Sequence, residues 1–313
     1  MSIEIIEADS RNPVLEAVSS VFPSETYADE SIIRQVFLDP NFDSAGCVLA
    51  LDGAGPVGVA YAVHRRTPQI DAPNDLHRGY ITLIGVRADY RGRGIGAVLL
   101  ARAEEFLKSK GATEALIAPY GTSYFLPGVD IDRYSAGLAW LKSRQYEETY
   151  RPISMSCVLS EVEEPGWIAE KTAKLSLEGV VVSSNYRRHV SAMLVFARRN
   201  FGDDWEQYVR SSVAEMLKGG NQKRLHAALS SDGDVIGFSH FDGERFGPIG
   251  VAPHHRGRSI GQVLLYRTLV AQREVGHRSS WFLWSDDNTA AKLYSDAGFK
   301  IVRRFAVLKK SLK

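Results

Sequence analysis

The chain has 313 residues, 38 basic against 37 acidic, a net charge of +1, and 44% hydrophobic and 24% charged residues. That composition excludes a disordered chain, a collagen and a coiled coil, and it lacks the positive excess of a basic nucleic-acid binder. Cys47 and Cys157, the two cysteines, make neither a disulfide framework nor a zinc cluster, and no apolar run reaches the roughly 18–20 residues of a membrane span. The opening MSIEIIEADSRN is acidic where an export signal is basic. The expectation is a cytoplasmic protein of about two domains, with no metal and no nucleic-acid or membrane partner.

In chain order, weakly amphipathic stretches near Val14 and Ile32 come first. Cys47 to Val63 alternates around Asp52-Gly53-Ala54-Gly55 and reads as a β-hairpin, and Gly79 to Val86 as a strand. Ile95, Val98, Leu99, Ala103, Phe106 and Leu107 recur at helical spacing up to a stop at Gly111. Glu114 to Ala118 predicts a strand, Arg133 to Arg144 a helix and Ile153 to Leu159 a closing strand. Glu161 to Gly166 starts a linker drawn over residues 161–174, between domains at 1–160 and 161–313. Two long amphipathic stretches follow, Arg187 to Asn200 and Trp205 to Leu217. A hairpin from Leu225 to His240, a strand from Phe246 to Val251, a helix, and a strand from Ser280 to Trp284 repeat the first half. A helix from Asn288 to Ala297 and a last strand near Val302 to Leu308 end the chain.

The repeat is explicit. IGVRADYRGRGIGAVLL (Ile84 to Leu100) and IGVAPHHRGRSIGQVLL (Ile249 to Leu265) share 11 of 17 positions without a gap, at a period of 165 residues. Such a period excludes solenoids and propellers and points to a duplicated α+β domain, each copy a mixed, largely antiparallel sheet flanked by helices. Within the repeat, a strand leads through an Arg- and Gly-rich loop into a helix. The first N–H groups of a helix have no carbonyl partner and the macrodipole favours negative charge there, so Arg91, Gly92, Arg93, Gly94, Ile95 and Gly96 read as a cradle for a phosphate or pyrophosphate. Arg256, Gly257, Arg258, Ser259, Ile260 and Gly261 repeat it.

Gly92 to Ala97 formally matches the dinucleotide fingerprint G-x-G-x-x-G/A. Against it, Arg87 to Arg91 intervene between strand and glycine, no ribose-binding acid follows about twenty residues on, and the second copy breaks the pattern at Ser259. No Gly-Lys-Ser/Thr of a Walker loop follows either.

The loop resembles the acetyl-CoA loop of the GNAT superfamily of N-acyltransferases, Q/R-x-x-G-x-G/A, matched at Arg91, Gly94 and Gly96 and, with Ser259 for the middle glycine, at Arg256 and Gly261. Asn288-Thr289-Ala290-Ala291-Lys292-Leu293-Tyr294 with Gly298-Phe299 is similar to that family's C-terminal signature, N-x-x-A-x-x-L-Y-x-x-x-G-F. The resemblance implies two tandem GNAT-like domains and acetyl-CoA as co-substrate. It also implies direct attack of a small-molecule primary amine on the thioester and a splayed gap between two strands for the pantetheine arm. By position, the N–H groups of Val86 and Val251 would polarise the thioester carbonyl, and Val86, Val251 and Asn288 join the cofactor-binding set. Tyr294 is the implied acid for the departing thiolate, with ordinary helix core as the competing reading. Leu141 stands at the tyrosine position of the first half and Ser135 at the asparagine, which places catalysis in the second half.

Asp242, Glu244, His240, His254 and His255 remain open as the base. The segments from Tyr124 to Asp130 and from Phe246 to Val251 look like those of a bacterial tandem-GNAT group that includes enzymes acetylating glucosamine, which favours an amino sugar held beside Asp130 and Asp132. The alternatives are a CoA-binding sensor or scaffold whose domains do not turn over, and a nucleotide-binding enzyme, against which the repeat argues.

Overall fold

A computed structural model describes residues 3–8, 11–25, 32–69, 73–118, 120–121, 125–184, 186–219, 224–286 and 289–313. In chain order the first elements are β1 (Glu4–Glu7), α1 (Arg11–Val21), β2 (Cys47–Asp52), β3 (Gly55–His64), β4 (Arg78–Val86), α2 (Ile95–Ser109), β5 (Glu114–Ile117), β6 (Val129–Asp130), α3 (Ser135–Ser143) and β7 (Glu147–Tyr150). There follow β8 (Ile153–Val158), α4 (Gly166–Leu177), β9 (Val181–Ser183), α5 (Val190–Phe201), α6 (Asp203–Leu217), β10 (Leu225–Leu229), β11 (Val235–Asp242) and β12 (Arg245–Val251). Last come α7 (Ile260–Glu274), β13 (Ser279–Ser285), α8 (Thr289–Asp296) and β14 (Lys300–Ser311).

Packing divides the chain differently from the repeat. One unit comprises residues 1–68, 73–152 and 305–313; the other comprises 69–72 and 153–304. Ile153–Val158, the expected closing strand of the first half, pairs in the second unit with β13 and with the start of β14. The last nine residues run in the first unit, where Leu308 pairs with Ile117 and Val307 with Tyr150. Both are apolar strands closing the same edge of duplicated sheets, so either satisfies the edge it meets; exchange of equivalent strands has little local cost. The expected linker is also structured. Gly166–Leu177 is a helix that buries Ile168 and Leu175, seven residues apart and hence on one face.

In the first unit β1, β2, β3 and β4 are antiparallel neighbours, β5 joins β4 in parallel, and the end of β14 joins β5 antiparallel. Period-two alternation sorts the core onto two faces. Val48, Ala50, Ala60 and Ala62 face Leu99, Ala103 and Phe106 of α2, whereas Leu49, Val59, Tyr61 and Val63 face Val14, Ala17 and Val18 of α1. The second unit repeats the plan as β9, β10, β11 and β12 antiparallel, β13 parallel to β12, and β8 antiparallel to β13. Its α7 covers one face, and α5 and α6 place Met193, Phe196, Val209 and Met216 against Leu225 and Phe238 on the other.

The glycines of the repeated Ile-Gly-Val triplet have a packing reason. A Cβ at Gly85 would collide with Val21 and Phe22, and one at Gly250 with Phe201. Gly250→Ala is therefore expected to lower stability by about 1–3 kcal/mol through overpacking, read as a lower denaturant midpoint at unchanged slope.

Candidate active site

In each unit the parallel ladder ends early. In the first it runs from Arg78↔Glu114 to Ile81↔Ile117, and Thr82 to Val86 continue without β5 beside them. In the second, Arg245↔Trp281 is the single parallel pair, and Phe246 to Val251 continue beyond it. A register shift marks the same place on the other side of each strand: β3 and β4 slip at Thr82, and β11 and β12 at Gly247-Pro248. The strands thus open into a gap whose vertex is a bulge, a device that re-aims backbone and ends pairing.

Backbone parity says what lines the gap. Arg87 N–H donates to Val57 O at 2.8 Å and Ala252 N–H to Ile236 O at 2.9 Å. Their neighbours Val86 and Val251, opposite Gly58 and Gly237, are the alternate, non-bonded pairs of an antiparallel ladder. The N–H and C=O of Val86 and Val251 therefore face the gap. Both carbonyls are taken by the loop that follows, since Arg91 Nε donates to Val86 O and Arg256 Nε to Val251 O, each at 3.1 Å. Sequence reasoning expected these two arginines as charges for a phosphate; they also fix the loop to the strand and leave the valine N–H groups as donors in the gap.

The loop has a cradle's shape. Gly92 and Gly94 adopt φ of 78° and 82°, Gly257 has 77°, and no atom lies within 4 Å of where a Cβ would stand at any of the three. Gly94 is the left-handed residue before α2; Ser259, with φ 67° and ψ 6°, takes the same place before α7. Ala97 N–H is bonded to Gly94 O at 3.0 Å and Val263 N–H to Ser259 O at 3.1 Å, so the earlier N–H groups of Ile95, Gly96, Ile260 and Gly261 belong to the first helical turn and point out of its end. Gly96 keeps room beside Val86 and Trp140, 3.6–3.8 Å from where its Cβ would be. These residues fit a pyrophosphate and an extended acyl arm. Ser259→Gly removes the left-handed strain of a side chain while loosening the unfolded chain; the net change in unfolding free energy is expected to stay within about 1 kcal/mol, with CoA affinity undiminished because the N–H remains.

The flanking charges differ between the copies. Arg93 lies over the Tyr90 ring at 4.6 Å and donates to Asp89 O at 3.0 Å. Arg258 is ion-paired with Glu178 at 2.6 Å and meets His255 Nδ1 at 3.2 Å. The pairing with Arg258 holds the Glu178 carboxyl below its ordinary range.

Tyr294 stands against the second gap. Its ring lies 5.9 Å from Phe246 on β12, 4.5 Å from Phe282 on β13 and 5.7 Å from Phe299. Burial, with a smaller push from Asp286, raises the phenol well above its usual range, so it stays protonated and can donate. Leu141 is buried in the core of the first unit. Asn288 and Tyr124 lie outside the described residues.

Several sequence candidates have structural duties. Glu244 accepts from the N–H groups of Arg278 and Ser279, both at 3.0 Å, and from Ser279 Oγ at 2.7 Å, tying the start of β13. Asp242 pairs with Arg224. Asp130, expected to hold a sugar, accepts from the backbone N–H of Asp132 at 3.0 Å and of Arg133 at 2.9 Å ahead of α3. The register slips at Thr82 and Gly247 leave no trace in the apolar pattern; Gly247 lies in the segment from Phe246 to Val251 that the resemblance marks, but nothing in that segment's sequence shows a bulge. Among the described residues no group of three or more His, Cys, Asp and Glu is arranged to hold a metal, and no helix is long and apolar enough to cross a membrane.

This twice-built opening, loop and helix is an acyl-transfer architecture, and family comparison agrees. Residues 12–122 match the acetyltransferase (GNAT) family and residues 222–301 the acetyltransferase (GNAT) domain. The chain belongs to the GNAT family of acetyltransferases, with two such domains in tandem. No curated protein matches it in sequence. Among solved structures it is similar in fold to the GCN5-related glucosamine N-acetyltransferase region of a fungal multi-domain GH3 β-N-acetylglucosaminidase, at TM-score 0.77 and 17% identity. That match covers 99% of this chain but 38% of the fungal one, so the chain spans well under half of that relative's length. A GCN5-related N-acetyltransferase from Sphaerobacter thermophilus matches at TM-score 0.71 and 17% identity over 99% and 96% of the two chains. A tandem GNAT protein of the clavulanic acid biosynthesis pathway matches at 0.64 and 14% over 100% and 99%.

Proposed function

We propose that the protein transfers the acetyl group of acetyl-CoA to a primary amine of a small molecule, with the chemistry in the second unit and domains that otherwise follow the duplicated halves. The observation that carries this reading is the set of groups around the second gap. Val251 N–H faces the gap, the loop from Arg256 to Gly261 opens into α7 at its mouth, and Tyr294 lies between Phe246 and Phe282. The amine nitrogen attacks the thioester carbon, the C–S bond breaks, and the sulfur takes the Tyr294 hydroxyl proton. A fixed N–H donor at the carbonyl oxygen is worth about 3–4 kcal/mol to such a step. Leu141 offers no proton, so the first unit is read as a CoA site without turnover. The fold likeness to a glucosamine N-acetyltransferase region, with the sequence resemblance above, supports an amino sugar as acceptor. The test is free-thiol release over amino sugars, polyamines and aminoglycosides, with calorimetry against acetyl-CoA and desulfo-CoA. Binding without thiol release from any amine supports the CoA-binding sensor instead.

A further inference from the structure

Position 165 residues apart does not relate Tyr61 and His240, because β3 and β11 are reached by hairpins of different length, but register does. Gly58 pairs with Val86 and Gly237 with Val251, so Tyr61 and His240 each stand three residues further along, beside the bulge of the neighbouring strand. Both side chains are buried, and in both the polar tip, Tyr61 Oη or His240 Nε2, has no hydrogen-bond partner among the described residues. An orphaned buried polar atom costs about 1–3 kcal/mol, and one at the same register position of two copies asks for a reason.

From this placement we infer that His240 is the proton acceptor for the incoming amine in the second unit, a role that rests on the acetyl-transfer reading above. His240 Nδ1 lies 3.0 Å from Gly247 O, an acceptor, so Nδ1 carries the hydrogen and Nε2 keeps its lone pair. Gly247 belongs to the bulge at the vertex of the gap, and the adjacent Phe246 packs against Tyr294. His240 pairs across the sheet with Leu225, on the face covered by α5 and α6, while Phe246 and Tyr294 share the face of α7. Proton acceptor and proton donor thus flank one vertex from opposite faces of the sheet. An amine enters from one side and the thiolate leaves on the other.

The protons balance. The ammonium gives one to Nε2 before attack. The nitrogen loses a second as the C–N bond forms and the C–S bond breaks, and that proton restores the Tyr294 hydroxyl spent on sulfur. His240 then returns its own to solvent. Charged neighbours are Arg224 ahead of β10, Asp242 on β11 and Arg245 on β12, which donates to Tyr208 of α6 at 3.2 Å. Burial, reinforced by the two arginines and opposed by Asp242 and the Gly247 bond, lowers the imidazole to about 4, so near pH 7 the ring is neutral with its Nε2 lone pair free, and a proton taken there is passed on rather than kept. The same desolvation lowers the pKa of an ammonium brought beside it, so the amine gives up its proton more readily there than in water. In the first unit, burial and the nearby Asp39 raise the Tyr61 phenol far above its usual range, so it cannot accept a proton. That unit then lacks both proton groups.

The test is His240→Gln in the full chain, with thiol release from acetyl-CoA and glucosamine followed against pH. The expected result is a loss of about 100-fold in kcat near pH 7, with the KM for acetyl-CoA unchanged. The acid limb of kcat/KM should move up to the pKa of the free ammonium, so that rate returns as pH rises. Tyr61→Phe should leave the whole profile in place. A wild-type rate, or a loss of the same factor at every pH, overturns the assignment. If His240→Gln melts early, His240→Asn, which keeps a donor for Gly247 O, is read the same way. If no amine brings thiol release from the wild-type protein, the acetyl-transfer reading has failed. The imidazole is then judged by ¹⁵N resonances with CoA present: an Nε2 shift on adding glucosamine supports the assignment, and its absence overturns it.

Discussion

Tyr294→Phe should lower the turnover number by about 10²–10⁴-fold while acetyl-CoA affinity and thermal stability stay nearly unchanged. The substitution keeps the ring and its contacts with Phe246, Phe282 and Phe299, and removes only the hydroxyl. No more than a ~1 kcal/mol hydrogen bond is lost from an aromatic surround, so folding is a weak reporter and turnover a strong one. A Tyr294 that served as core alone would give the reverse. Phenylalanine would then be silent, and only Tyr294→Ala, which empties a site walled by three rings, would cost about 3–5 kcal/mol. Leu141→Ala is the control, since it opens a cavity in the first unit's core and leaves the chemistry of the second in place. Normal turnover in Tyr294→Phe with a genuine acceptor sinks the assignment.

Much of this site was legible in the sequence because the information is local. The repeated Val-x-x-x-x-Arg-Gly-Arg segment gives strand, turn and helix in order, and the structure adds that the residue before the helix is left-handed in both copies, Gly94 in one and Ser259 in the other. The direction of the Val86 and Val251 N–H groups is not local. It depends on which residues of β3 and β11 stand opposite, and a slip of one residue at Thr82 or Gly247 reverses it. The bond from Arg91 Nε to Val86 O illustrates the same limit, since an arginine in a glycine-rich loop reads as a charge and its backbone duty appears only with the fold. The exchange of Ile153–Val158 and the end of β14 was hidden for another reason. Duplication leaves two edges and two closing strands of like pattern, and alternation cannot choose between them.

Two CoA molecules should bind per chain, the first unit holding its own more tightly. The contrast lies in the loops. Arg258 is partly neutralised by Glu178, whereas Arg93 lies over Tyr90 beside a backbone carbonyl with no carboxylate among the described residues paired to it in that ion-pair geometry. Gly94→Glu sets a carboxylate where the pyrophosphate charge would rest, in a position with no atom within 4 Å to deflect it. Repulsion at an effective dielectric near 20 should cost about 2–3 kcal/mol, on the order of a hundredfold in the tighter Kd. Gly94→Ala adds the same backbone strain without the charge and should cost far less, which separates electrostatics from geometry. In the second unit, Glu178→Gln frees Arg258 and should tighten the weaker site, more visibly at low salt. Calorimetry with CoA checks all three: two sites in the parent, the tighter one weakened by Gly94→Glu, and the weaker one improved by Glu178→Gln. A single site indifferent to Gly94→Glu would mean that the better-formed of the two loops holds no CoA.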